Sequence, residues 1–436
     1  MNVRTTALTL SALVFIQVSG GNFSSAQSLF GISVAAMGDV NGDQVPDYAV
    51  GGYAHPGQEF RGAVWMFSGA DDSVLYALHG DRDGDCFGYR VAPVGDVDGD
   101  EVVDLLVVAS PYGFSYDRKD EGYGRVYSGA GGALLYAVEG VYWFHWFSSA
   151  ACPVGDVNGD ERNDFAVLAW PRYKEDRKLE PGRAVMVSGA DGSTLWSVEA
   201  TVDGDTERVP SSIASGSDVD GDGVPDLIVG EISFTPDVQG TVRVLSGTSG
   251  TPLREIEGGS SWFGASVAFL PDIDGDGSDE IAITTRMASE RGSVTVYSGA
   301  EAVLYRIDGP EVERRGQPGE YGHSIKASGN LDGDGVDDFL VSDPKWGAFV
   351  GAVHAYSGRT GKELFLVTGK ENGMGSDWRF GISFAVVGDV NGDGRDDFVV
   401  GCANSGQSTI PGYVRLVSGK DGATLRTVRR PESKQK

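Results

Sequence analysis

The residues best placed to do chemistry in this chain are acidic. A nine-residue pattern, D/N-x-D/N-G-D-x-x-x-D/E, occurs seven times. It presents Asp39, Asn41, Asp43 and Asp47, then Asp96, Asp98, Asp100 and Asp104, then Asp156, Asn158, Asp160 and Asp164. The later copies present Asp218, Asp220, Asp222 and Asp226, then Asp272, Asp274, Asp276 and Glu280, then Asn330, Asp332, Asp334 and Asp338, and last Asp389, Asn391, Asp393 and Asp397. Side-chain oxygens at positions 1, 3, 5 and 9 of a tight loop can converge on one hard cation, and a backbone carbonyl near position 7 can add another. Calcium accepts such a flexible oxygen shell, whereas magnesium wants a small octahedral one and keeps its waters. The expected cofactor is therefore Ca2+, up to seven ions.

Position 4 is glycine in every copy, where the backbone must bend sharply around an ion. Position 6 is glycine only in the last four (Gly223, Gly277, Gly335, Gly394); the first three have Gln44, Glu101 and Glu161. A left-handed backbone there costs a non-glycine residue about 1 kcal/mol or more, so the last four loops are the stronger expected sites. An EF-hand is excluded, because its bidentate glutamate at position 12 is replaced by Val50, Val107, Val167, Val229, Ile283, Val341 and Val400. A single such loop reads equally well as an acidic turn. Seven with one spacing do not.

The ligand positions of these loops hold 24 of the 63 acidic residues, and seven divalent ions would halve the formal charge of −28. A polyanion of this kind repels phosphate, so no nucleic acid is expected as a partner. No segment reaches the roughly 20 apolar residues of a membrane span. Residues 1–26, with Arg4, the mostly apolar stretch from Thr5 to Val18 and the small residues Ser24, Ser25 and Ala26, read as a secretory signal peptide cleaved close to Ala26. The alternative is that residues 13–20 are a strand of a truncated eighth unit. Cys86, Cys152 and Cys402 are too scattered for a disulfide framework or a zinc site.

The elements that carry the loops repeat with them. Nine residues before each loop stands a hydrophobic anchor: Phe30, Phe87, Phe147, Val209, Phe263, Tyr321 and Phe380. Each loop is followed by an apolar run, a variable stretch, a run ending in Ser-Gly, and a leucine six or seven residues past that serine. Alternation and β-branched residues make these runs four short strands per unit. The chain is therefore all-β: a seven-bladed β-propeller of four-stranded antiparallel blades rather than a linear solenoid, whose end repeats would differ from the middle ones. One domain is expected over residues 27–430, with repeats at about 28–80, 81–140, 141–201, 202–258, 259–309, 310–369 and 370–430, and a basic tail at 431–436.

The stretch from Phe380 through Asp389 and Asp397 to Gly401 closely resembles the FG-GAP repeat of the integrin alpha-subunit propeller and its bacterial relatives. The resemblance covers nearly everything from about residue 28. It implies structural calcium in the loops between first and second strands, on the lower face of a ring. The third and fourth units depart from the motif, with Phe147-Ser148 and Val209-Pro210 in place of Phe-Gly, which puts strand geometry there in question. No inserted domain and no D-x-S-x-S metal site of the integrin type are present.

Loops joining second to third strands, and each blade to the next, emerge on the other face. Several are aromatic: Tyr112, Phe114 and Tyr116, then Trp143 and Trp146 in the run before the third anchor, then Trp170, Tyr173 and Trp346. Tyr112, Tyr116, Trp143, Trp146, Tyr173 and Trp346 are the candidate ligand-binding residues; the competing reading is that they pack between blades. The expected function is a secreted, calcium-binding ligand-binding or adhesion module, at a cell surface or in a periplasm as further options. Its expected partner is an extracellular protein or glycan, and its expected state a monomer. The alternative is a secreted polysaccharide-acting enzyme of the lyase kind. Five scattered histidines and the lack of a G-x-S-x-G elbow weigh against catalysis.

Overall fold

The computed structural model describes residues 29–53, 61–82, 84–109, 122–138, 151–169, 171–173, 179–203, 206–286, 291–299, 302–311, 320–370, 379–403 and 412–431. These form seven four-stranded antiparallel sheets, each made of strands in chain order. Blade 1 comprises Ser33–Gly38, Asp47–Gly52, Ala63–Phe67 and Val74–His79, and blade 2 comprises Phe87–Gly95, Asp104–Ala109, Tyr123–Tyr127 and Leu134–Val138. Blade 3 has Ala151–Gly155, Asp164–Ala169, Arg183–Val187 and Thr194–Glu199, and blade 4 has Val209–Ser215, Leu227–Ile232, Thr241–Leu245 and Pro252–Glu257. Blade 5 has Phe263–Leu270, Glu280–Thr285, Ser293–Tyr297 and Val303–Asp308. Blade 6 has Ile325–Ala327, Phe339–Asp343, Ala352–Tyr356 and Glu363–Thr368, and blade 7 has Phe380–Gly388, Asp397–Cys402, Tyr413–Val417 and Thr424–Arg429. A four-residue helix, Trp346–Phe349, joins the second and third strands of blade 6; it is too short to leave a periodicity in the sequence. No helix is long and apolar enough to cross a membrane.

Burial explains the layering. First strands of neighbouring blades touch one another and so surround the axis. Second strands such as Asp104–Ala109 are buried throughout, while the fourth, as in Thr424–Arg429, hides only part of one face. A separate apolar core fills each gap between blades, and the anchors sit in these cores: Phe30, Phe87 and Phe380 are fully buried, Tyr321 nearly so. Burying such a ring contributes about 1.5–3 kcal/mol.

The last blade closes on the first with the contacts used elsewhere in the ring. Ser33 Oγ donates to the carbonyl of Gly88 at 2.9 Å, and Ser212 Oγ to that of Gly264 at 3.0 Å. Ser383 Oγ, 352 residues further along the chain, makes the same bond to Gly31 at 2.9 Å. The backbones approach so closely there that a Cβ on Gly401 would stand 2.0 Å from the Gly31 oxygen, so only glycine fits. A solenoid has no such bond between its ends.

The departure in blade 4 is absorbed locally. Where other blades place a left-handed glycine after the anchor, such as Gly264 (φ 85°), Pro210 stands at a register shift between Pro210 and Ser212. Blades 2, 5 and 7 shift register at the same place, and an innermost strand has a free edge, so the missing proline N–H breaks no ladder. Phe147 and Ser148 of the third unit lie outside the described residues, as do residues 1–28 and 432–436.

Candidate metal centres and the opposite face

Each acidic loop joins the first and second strands of its blade and is folded by its own side chains. In blade 1 the position-1 carboxylate of Asp39 accepts the N–H groups of Gly42 (2.7 Å), Asp43 (3.1 Å) and Gln44 (2.7 Å). Asn41 Oδ1 accepts from Asp43 and Asp43 Oδ1 from Val45, so each ligand position also pins the backbone two residues on. The same net recurs from Asp156 and Asp389. In blade 6 Asn330 offers one oxygen, which takes Gly333 N–H at 2.7 Å.

Position 9 has a second role that spacing does not reveal. Asp47, Asp104, Asp164, Asp226, Glu280, Asp338 and Asp397 are all fully buried. In each aspartate one oxygen takes the N–H of position 2, as Asp397 does from Val390 at 3.0 Å. The other takes the N–H of the Ser-Gly glycine, as Asp397 does from Gly419 at 3.1 Å. These carboxylates bracket the metal loop to the turn between third and fourth strands. Burial pushes the Asp104 and Asp397 carboxyls up to about 6 against those backbone bonds, with neighbouring loop acids adding to the rise.

Blade 5 differs in one atom. Glu280, longer by a methylene, takes Ile273 N–H on Oε2 at 2.6 Å, while Oε1 is buried without a hydrogen-bond partner among the described residues. Burial, with Asp274, Asp276 and Asp272 nearby, drives its carboxyl up to about 7. Oxygens of Asp272, Asp274, Asp276 and Glu280 all lie within 4.8 Å of one another, and the same holds for Asp96, Asp98 and Asp104 and for Asp218, Asp220 and Asp226. These sets suit a hard cation held by oxygen donors.

Backbone shape does not separate the first three loops from the last four. Gln44, Glu101 and Glu161 adopt the left-handed turn at φ 70°, 68° and 66°, close to Gly335 and Gly394 at 86° and 82°. The position-1 carboxylate accepts their N–H groups as it accepts those of Gly223, Gly277 and Gly394. Loop shape is therefore common to both groups, and convergent carboxylates occur in blades 2, 4 and 5 rather than in the last four.

The serine of Ser-Gly reaches the acidic loop, a role that its place at the end of the third strand does not announce. Ser68 Oγ lies 3.3 Å from Asp43 Oδ2, and Ser418 Oγ 3.5 Å from Asp393 Oδ2. Its presence at the same point of all seven units was the signal.

On the opposite face, Tyr112, Tyr116, Trp143 and Trp146 lie outside the described residues. Tyr173 belongs to the two-residue strand Arg172–Tyr173, and Trp346 opens the short helix, half-buried. Only these two of the six candidates lie among the described residues. A described aromatic pair does stand on this face: Trp262, before the anchor Phe263, meets Phe234 edge-on at 5.7 Å, and Phe234 is 54% exposed.

Comparison with known proteins agrees with this geometry. Residues 218–283 match the FG-GAP-like repeat and residues 380–416 the FG-GAP repeat. The chain is 32% identical to integrin alpha-V of Gallus gallus over 221 residues, 47% of this chain and 20% of that protein. It is 34% identical to integrin alpha-PS2 of Drosophila melanogaster over 147 residues, 31% of this chain and 10% of that protein. The matched part thus spans a fifth or less of these relatives' length. The crystal structure of Saccharomyces cerevisiae Sqt1 superposes with a TM-score of 0.49 at 11% identity, covering 94% of this chain and 98% of that one. The chain thus carries FG-GAP repeats, the matched stretches taking in the acidic loops of blades 4, 5 and 7, and it is similar in sequence to integrin alpha subunits.

Proposed function

We propose that this propeller is a secreted, calcium-stabilised module that binds an extracellular ligand or mediates adhesion. The observation that carries the calcium reading is the convergence in blade 5, where one oxygen each of Asp272, Asp274, Asp276 and Glu280 lie within 4.8 Å of one another. Four carboxylates crowded in this way repel one another, and a bound divalent cation removes that penalty. Calcium would be held by positions 1, 3, 5 and 9 of the loops, where it neutralises crowded carboxylates and fixes the turns between first and second strands. Its role is structural, and the ligand is left to the opposite face.

The ligand-binding reading is supported by similarity to integrin alpha subunits and by the aromatic loops bearing Tyr112, Tyr116, Trp143, Trp146, Tyr173 and Trp346. A glycan and protein array probed in millimolar calcium, with the same array in EDTA as control, tests it. Trp143→Ala and Trp146→Ala should abolish capture of the array hit without changing the melting temperature. Large losses of stability instead would make both residues core and defeat this assignment.

A further inference from the structure

The face opposite the acidic loops carries a cluster drawn largely from blades 5, 6 and 7. Glu320 precedes the anchor Tyr321, and three cations surround its carboxylate: Lys345 Nζ at 2.9 Å, Arg286 at 3.5 Å and Arg379 at 3.8 Å. Asp343 stands beside them, accepting the backbone N–H groups of Glu320 and Lys345 at 3.2 Å. Three cations thus face two carboxylates in a protein whose formal charge is −28.

The pairing is incomplete. Both guanidinium contacts are longer than a charge-assisted hydrogen bond, and among the described residues no carboxylate comes closer to either. Glu320 Oε2 and both ring nitrogens of His323 are buried without hydrogen-bond partners among the described residues, and His323 is only 5% exposed. Burial and Arg286 hold the His323 ring well below its ordinary value, so it stays neutral and adds no balancing charge. The two arginine side chains remain 18% exposed. Beside them is an apolar shelf. The Arg286 guanidinium lies 5.6 Å from the Trp262 ring, which in turn meets the exposed Phe234.

We propose that this cluster binds the carboxylate of a uronic-acid residue in an acidic glycan, clamped by Arg286 and Arg379, with the sugar ring against Phe234 and Trp262. The guanidinium fork matches a carboxylate in two parallel bonds. A uronate carries that carboxylate directly on its ring, so charge and apolar ring face arrive as one rigid unit, matching cations that adjoin an aromatic shelf. An aspartate or glutamate side chain would use the clamp and leave the shelf idle. The inference rests on the reading of the propeller as an extracellular ligand-binding module and names the ligand's chemistry.

The test titrates the full chain, in excess calcium, with oligomers of galacturonate, glucuronate and mannuronate-guluronate, their carboxyl-reduced counterparts, and oligoglutamate. One uronate series should bind and its reduced form should not. Arg286→Gln and Arg379→Gln should each weaken binding about tenfold or more, and Phe234→Ala should weaken it with melting unchanged. If either glutamine variant melts early, Arg286→Lys and Arg379→Lys keep the charge, lose the fork and should still lose affinity. Uronates that fail to bind, reduced forms that bind equally, a preference for oligoglutamate, or uronate binding that ignores these substitutions overturns the proposal. A neutral glycan or protein that binds this face regardless of Arg286 overturns it too and leaves the ligand-binding reading standing, whereas a chain that captures nothing from either panel defeats both.

Discussion

The two faces of the ring are built by opposite rules. On one face a nine-residue loop is repeated seven times, and even its odd positions are forced into the same shape: Gln44, Glu101 and Glu161 turn left-handed as the glycines do. On the other face the corresponding positions diverge. The residue before the anchor is Leu29, Cys86, Trp146, Arg208, Trp262, Glu320 or Arg379; Leu29 and Cys86 join an apolar patch with Tyr53, Tyr89 and Ile382, and Glu320 heads the cationic cluster. A feature kept in every blade serves what every blade must do, which is to fold and close. A feature found in one sector is free to serve recognition.

Removing calcium should expose this division most strongly. At about 1 mM calcium and a dissociation constant of order 10⁻⁴ M each occupied loop contributes roughly 1.4 kcal/mol, so several together rival a domain's whole stability. Melting in EDTA should fall far below melting in calcium, and equal curves would remove calcium from the account of the loops. Next in size is the loss of an anchor: Phe380→Ala should destabilise by about 3–5 kcal/mol with or without calcium, measured by denaturant unfolding, because the ring fills the core between blades 6 and 7.

The contrast also separates what could be read from sequence. Weak signals at Asp39 or Phe30 become decisive when they recur at fixed offsets, so the blade count, the loops and the anchors were all legible. Position 9 was legible as a carboxylate but not as a bracket, because its partners, such as Gly419 for Asp397, lie on a turn reached only through the sheet. The cationic cluster was illegible for the opposite reason. Arg286, Glu320, Lys345 and Arg379 occur once each, far apart in the chain, and meet only because ends of strands in adjacent blades converge at the axis.

Within the lower face, position 9 and position 5 should part company. Asp397→Ala strands the buried N–H groups of Val390 and Gly419, so it should lower stability by about 1–3 kcal/mol even in EDTA. Asp393→Ala removes a ligand candidate whose carboxylate takes only the part-buried Arg395 N–H and, at 3.5 Å, the Ser418 hydroxyl, so it should lower melting mainly in calcium, by about the 1.4 kcal/mol of one site. Equal effects of both in EDTA would mean that the bracket and ligand roles are not distinct.

The smallest expected effects compare one strain on the two faces. Gln44 (φ 70°) and Arg379 (φ 71°) are both non-glycine residues held left-handed. Glycine at either position relieves about 1 kcal/mol of steric cost, offset in part by the greater freedom of the unfolded chain. Gln44→Gly should therefore raise the melting temperature slightly and leave uronate binding unchanged, since the residue lies on the metal-loop face. Arg379→Gly should stabilise by a similar amount while removing one arm of the anion clamp, so a gain in melting temperature and a loss of uronate binding should appear in the same protein. Strain held at a recognition site and released only with loss of binding is what separates a functional position from a structural one. If Arg379→Gly instead destabilises, the guanidinium is part of the fold's own ion pairing, and the difference between the faces narrows.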